Sequence, residues 1–173
     1  MIIQASYPRA ASTLLVNALY GLILQTRYVP VAWNDFYHTP PHFDFNAPLT
    51  VFKTHEMDLR SLYEVFSQDF ATYFVCSKRD NSQISYPHPN ILIYDYKDII
   101  APDFCQTLYT DIREMIPHLT LSDTECMSRV AAMNTRYEEI KHLPFSYTDP
   151  FYQLHGSHRS RSLPNPRLRG KSI

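Results

Sequence analysis

Glycine is nearly missing: the 173 residues contain three. A phosphate loop of the triphosphatase type needs two glycines ahead of Lys-Ser/Thr, because ligand and backbone approach too closely for a side chain. The single Gly-Lys-Ser run, Gly170 to Ser172, has Asn165 where the first of those glycines belongs and no helix after it. That pattern is excluded. Also lacking is any run of about 18 apolar residues, which argues against a membrane span. No basic segment precedes the first apolar stretch, which argues against a signal peptide. Cysteines number three, Cys76, Cys105 and Cys126, with no CxxC pair. The expectation is three reduced thiols in an intracellular, cytoplasmic protein and no structural metal set.

What is present describes a globular chain: 45% hydrophobic residues, with 13 Tyr and 10 Phe, are ample for one core. The formal net charge is −1, but its distribution is lopsided. Five of the 16 Lys/Arg residues and none of the 17 Asp/Glu lie between Gln153 and Ile173. A basic tail on an acidic body suits an anion-gripping segment or a solvated extension. The domain expectation is one α/β domain over residues 1–162 and a basic tail over 163–173.

Periodicity supplies the elements. Met1 to Ala5 reads as a buried strand, and Ser12 to Leu24, apolar almost all round, as a buried helix. A strand is plausible near Tyr28 to Ala32, followed by the Pro-, Asn- and His-rich loop Trp33 to Phe45. Leu49 to Lys53, Thr72 to Ser77 and Ile91 to about Tyr94 read as strands. Asp58 caps a short helix. One later helix spans about Asp103 to Met115. Another starts at Ser122 with Glu125 completing a capping box, and sets Cys126, Val130, Met133, Tyr137 and Ile140 in one stripe. Strands alternating with helices argue a parallel sheet covered by helices.

In such sheets ligands bind beyond the carboxyl ends of the strands, and the polar clusters fall there. "PRAAST" (Pro8 to Thr13) leads from the first strand into a helix N-terminus, where free N–H groups and the helix dipole favour an anion. Arg9, Ser12 and Thr13 add donors. "KTH" (Lys53 to His55) sets a cation and a proton acceptor two residues apart. Lys78 and Arg79 follow another strand, with Ser82 and Ser85 beyond. "HGSHRS" (His155 to Ser160) contributes His158 and Arg159 near a glycine. Each cluster alone also reads as an ordinary cap, turn or tail; their meeting on one edge is the informative part.

Taken in order, these motifs resemble the sulfotransferases that use 3′-phosphoadenosine-5′-phosphosulfate (PAPS). The family's Pro-Lys-Ser-Gly-Thr-Thr loop is matched by "PRAAST", with Arg9 for the lysine and Ala11 for the glycine. Its Lys-Thr-His, which holds the catalytic base, is matched by Lys53-Thr54-His55. Arg79 matches the arginine that binds the 3′-phosphate, with Ser82 and Ser85 both open as its serine partner. "ILIYDYKDI" (Ile91 to Ile99) is similar to the family's strand-and-acid segment, and "HGSHRS" to its C-terminal loop.

The resemblance implies a P-loop-like three-layer fold with about four to five parallel strands flanked by helices. It implies PAPS as sulfuryl donor, adenosine 3′,5′-bisphosphate as product, and a small-molecule or glycan hydroxyl or amine as acceptor. His55 is then the general base, while Lys53 and Arg9 stabilise the leaving phosphate. Arg9, Ala10, Ala11, Ser12 and Thr13 cradle the 5′-phosphosulfate, and Arg79, Ser82 or Ser85, His158 and Arg159 grip the 3′-phosphate. No metal is required. The cradle is expected to keep ordinary φ, in a conformation alanine tolerates. Two other readings stay open: a catalytically degenerate nucleotide- or anion-binding domain, and a small P-loop kinase. An acidic body without a reader motif argues against nucleic acid.

Overall fold

A computed structural model describes residues 1–24, 51–68, 71–79, 82–144, 147–149 and 151–155. The expected strand near Tyr28 to Ala32, the loop Trp33 to Phe45, and His158 and Arg159 lie outside them. The chain forms two compact units, Met1–Val130 and Ala131–Ile173.

In the first unit, β1 (Ile2–Ser6), β2 (Val51–Thr54), β3 (Tyr73–Lys78) and β4 (Ile91–Asp95) make an all-parallel sheet in the order β2-β1-β3-β4. The architecture is α/β, with helices flanking a four-stranded parallel sheet. β1 lies between β2 and β3 and is buried throughout, which is why it reads as an unbroken apolar run rather than an alternating one. Alternation along each strand feeds two cores. Ile2, Val51 and Val75 join α1 (Ser12–Leu22) and α4 (Phe104–Met115) on one face. Ile3, Phe52 and Phe74 join Leu59 and Leu62 of α2 (Leu59–Phe66) on the other. Asp58 caps α2 by accepting from the Ser61 N–H at 3.2 Å. A one-turn helix, α3 (Tyr96–Ile99), follows β4 directly.

α5 (Asp123–Ile140) begins in the first unit, with the Ser122 hydroxyl accepting from the Glu125 N–H at 3.1 Å. Its expected stripe is buried at Cys126, Met133 and Ile140 and half-buried at Val130 and Tyr137. The start of α5 is tied to the end of α1 by backbone bonds from Ser122 to Leu22 and from Leu24 to Thr120. Gly21 is the point of closest approach. A Cβ there would stand 2.7 Å from the Glu125 carbonyl oxygen and 2.8 Å from the Cys126 Cα.

The thiols depart from expectation. Cys105 and Cys126 form a disulfide, with Cα atoms 5.9 Å apart, joining α4 to α5; Cys76 is free and buried. Local spacing tests for metal clips, whereas a bridge between helices is set by tertiary packing. Disulfides persist in oxidising compartments, so this one opposes the reduced setting expected above. No helix among the described residues is long and apolar enough to cross a membrane.

In the second unit, β5 (Thr148–Asp149) pairs antiparallel with β6 (Leu154–His155). Arg136 donates to Asp149 at 2.7 Å and to the Tyr147 hydroxyl at 2.9 Å. Asp149 also accepts from the Phe151 and Tyr152 N–H groups at 3.1 and 3.0 Å.

Gly21→Ala forces two backbones apart. The expected loss is about 1–3 kcal/mol of unfolding free energy, as for overpacked cores, measured by urea titration. An unchanged midpoint would contradict the close crossing of α1 and α5.

Candidate functional site

The chain leaves the buried end of β1 at Ser6 and enters α1 at Ser12. Within that turn the Ala10 N–H donates to the Tyr7 carbonyl at 3.2 Å, and the Tyr7 N–H to the Ser77 carbonyl at 3.2 Å. The expectation of ordinary φ fails here. Arg9 and Ala11 both occupy the left-handed region, with φ of 70° and 58°. The turn needs positive φ to aim α1 back over the sheet, and no glycine supplies it. A left-handed residue with a β-carbon costs about 1–2 kcal/mol, and such strain gathers at functional sites.

No side chain caps α1 at Ala11, although the first helical bond, from the Leu15 N–H to the Ala11 carbonyl, is made at 3.0 Å. The leading N–H groups of Ser12, Thr13 and Leu14 have no intrahelical acceptor by construction. They stand at the positive end of the dipole. Left-handed Arg9 and Ala11 stand immediately ahead of these donors.

β2 carries the second cluster to this turn. Register pairs Lys53 with Gln4 of β1, which places Lys53 on the α1 face. Its Nζ donates to the Thr13 hydroxyl at 3.2 Å. Burial pushes the Lys53 amine down to about 8, so at neutral pH a charge remains beside the helix N-terminus, held against the cost of desolvation. Two residues on, His55 Nδ1 lies 2.7 Å from the Ser6 carbonyl oxygen. A carbonyl only accepts, so Nδ1 carries the proton and the neutral ring keeps its lone pair on Nε2. Burial lowers the His55 pKa, its bond to Ser6 works in the opposite direction, and the Lys53 charge lowers it further. Below its ordinary value, His55 is neutral at pH 7. This is the state a general base needs.

The order β2-β1-β3-β4 places the reversal of strand order between β1 and β3, where open parallel sheets bind ligands. Arg79 follows β3 at that edge and is exposed, its guanidinium 4.9 Å from the centre of the Tyr96 ring. Ser82 is bound to the Arg79 main chain, accepting from its N–H at 3.1 Å and donating to its carbonyl at 2.6 Å. Ser85 is exposed farther along an irregular segment. Of the expected residues, then, Lys53 is bonded to Thr13 at the start of α1, and His55 to Ser6 at the end of β1, the two ends of the same turn. Arg9 is exposed in the turn, Ala10 is buried and Ser12 nearly so.

Sequence reading missed a polar layer beneath the turn. Ser77 donates to the Ser6 hydroxyl at 2.6 Å, and Gln4 Nε2 donates to the same oxygen. All three residues are fully buried, and Gln4 Oε1 has no donor among the described residues. The available signal was a glutamine inside an otherwise apolar strand, since a buried amide needs a reason.

No protein-family model, curated protein or solved structure matches the chain.

Ala11→Gly relieves the left-handed strain, offset by about 0.4–1 kcal/mol of extra freedom in the unfolded chain. The expected net effect is stabilisation of up to about 1 kcal/mol, read as a rise in Tm. A clear fall in Tm would contradict the left-handed assignment.

Proposed function

We propose that the chain is a P-loop-like sulfotransferase that moves a sulfuryl group from PAPS to a hydroxyl or amine of a small molecule or glycan. The observation that carries this reading is the convergence of an α1 N-terminus that its own cap residue leaves without a side-chain acceptor, the Lys53 ammonium and a neutral, tautomer-fixed His55 on one turn. The donor set fits a phosphosulfate: oriented N–H groups and a partly desolvated cation favour spread negative charge.

In this reading the N–H groups of Ala11, Ser12 and Thr13, with Arg9, bind the 5′-phosphosulfate. Lys53 neutralises the charge that builds on the bridging oxygen as its bond to sulfur breaks. His55 Nε2 takes the proton from the acceptor as the new oxygen–sulfur (or nitrogen–sulfur) bond forms. Catalysis is then positioning plus charge stabilisation, as in phosphoryl transfer. Arg79, with Ser82 or Ser85, holds the 3′-phosphate. The cytoplasmic setting is the part of the expectation that the disulfide opposes.

His55→Ala is expected to lower transfer of labelled sulfate from PAPS by about 10²–10⁴-fold while adenosine 3′,5′-bisphosphate still binds. Full transfer by the variant would overturn the assignment of the base. Bisphosphate binding by the wild type without turnover over a broad acceptor panel would favour the non-catalytic anion-binding reading instead. ATP with magnesium stabilising the protein better than the bisphosphate would favour a kinase.

The Lys53 amine gives a pH signature. Only its protonated form attracts the anion, and its pKa in the free protein is lowered to about 8 by burial. A bound anion raises that pKa, so the complex takes up a proton above pH 8. Calorimetry should therefore show bisphosphate affinity falling as pH rises through 8, where the phosphates are already fully ionised, with the fall abolished in Lys53→Met. A pH-independent affinity from 7 to 9.5 would contradict this role.

A further inference from the structure

α1 carries a polar stripe that starts at Thr13 of the anion site and continues through two residues, Asn17 and Tyr20, that the anion chemistry above does not use. Thr13, Asn17 and Tyr20 are spaced by four and three residues, so they share one face of the helix. Asn17 is 1% exposed. Its Nδ2–H donates to the Thr13 carbonyl at 2.8 Å, and its Oδ1 accepts from Arg129 Nε of α5 at 3.2 Å. The same guanidinium stands 5.5 Å from the centre of the Tyr20 ring.

Both ends of the stripe meet β2. Thr13 receives the Lys53 ammonium, and the Tyr20 hydroxyl donates to the Val51 carbonyl at 3.1 Å. Arg129 touches Asn17, which lies between these contacts, and Tyr20, which makes one of them. Its reach depends on Gly21, where a Cβ would come within 2.9 Å of the Arg129 Cβ. Apolar side chains would pack two helices against a sheet at least as well as a buried amide and a cation do. What the polar groups add is direction: a hydrogen-bonded chain has one register, whereas an apolar contact slides.

We infer that Arg129 and Asn17 are positioning residues that set where Thr13 stands over β2, and through its hydroxyl where the Lys53 ammonium is held. The inference rests on Lys53 being an anion-binding group, so its test includes a measurement that needs no ligand. Displacing the groups around a reacting centre by about 1 Å can cost on the order of 10²-fold in rate. A residue one helix away can therefore matter without touching substrate.

Asn17→Asp separates the two roles of the amide. The carboxylate still accepts from Arg129, with opposite charge, so the packing of α5 on α1 is kept; the donor to the Thr13 carbonyl is lost. Arg129→Met removes the guanidinium but keeps the length of the stem, and Arg129→Lys keeps a cation near Tyr20 without the planar Nε–H. Three measurements are made on the full chain: Tm, the Lys53 Cε resonance in ¹³C-lysine-labelled protein without ligand, and the Kd for adenosine 3′,5′-bisphosphate. In Asn17→Asp the Tm is expected to stay within a few degrees of wild type, the Lys53 resonance to move, and the Kd to rise about tenfold. Arg129→Met should move the resonance and the Kd the same way, and Arg129→Lys should not restore them. An unmoved Lys53 resonance in folded Asn17→Asp and Arg129→Lys overturns the inference, whatever happens to Tm. If the resonance moves but even the wild type fails to bind the bisphosphate, the positioning role stands and the PAPS reading falls.

Discussion

The turn between Ser6 and Ser12 constrains everything around it. A fully buried strand must hand the chain to a buried helix lying on the same sheet, and it has five residues in which to reverse. Left-handed Arg9 and Ala11 solve the geometry without glycine. The consequence is a helix whose N-cap residue, Ala11, offers no side-chain acceptor to its leading donors, at the sheet edge where ligands of parallel sheets bind. Strain of about 1–2 kcal/mol per left-handed residue is a sizeable fraction of the 5–15 kcal/mol by which domains are stable. The surrounding packing must supply it: Ala10 is buried in the turn, and Leu15, Val16 and Leu19 anchor the helix that follows.

The charges at the site are organised by that turn. Lys53 comes to Thr13 because β2 lies beside β1 in parallel register, and His55 comes to the Ser6 carbonyl because it is two residues farther along the same strand end. Burial lowers the pKa of both groups. For the lysine this holds a charge that is expensive in the free protein and becomes favourable beside an anion. For the histidine it keeps the ring neutral, with its tautomer set by a backbone acceptor. One environment thereby separates a cation from a neutral imidazole only two residues away.

Much of the frame was legible. The buried strands, the Asp58 cap, the Ser122–Glu125 start of α5 and its stripe follow from local chemistry, and local chemistry is written in short windows. The convergence of "PRAAST" with "KTH" was legible too, because parallel sheets bring strand ends to one edge. What escaped depends on packing between distant segments. Nothing near Arg129 marks it as a partner of Asn17, 112 residues away. Cys105 and Cys126 carry no motif, and their bridge exists because α4 and α5 meet. The φ of Ala11 was misjudged for a related reason: an alanine adopts the left-handed region only when its surroundings impose it, and those lie outside the loop.

The central claim is that the β1–α1 turn and Lys53 form one anion site. The most direct test is an amide and lysine NMR titration of the whole chain with adenosine 3′,5′-bisphosphate. The account predicts saturable shifts at the amides of Ala11, Ser12 and Thr13 together with the Lys53 Cε resonance, all with one Kd. Shifts confined to other surfaces, or none at these four residues at saturating ligand, would contradict it.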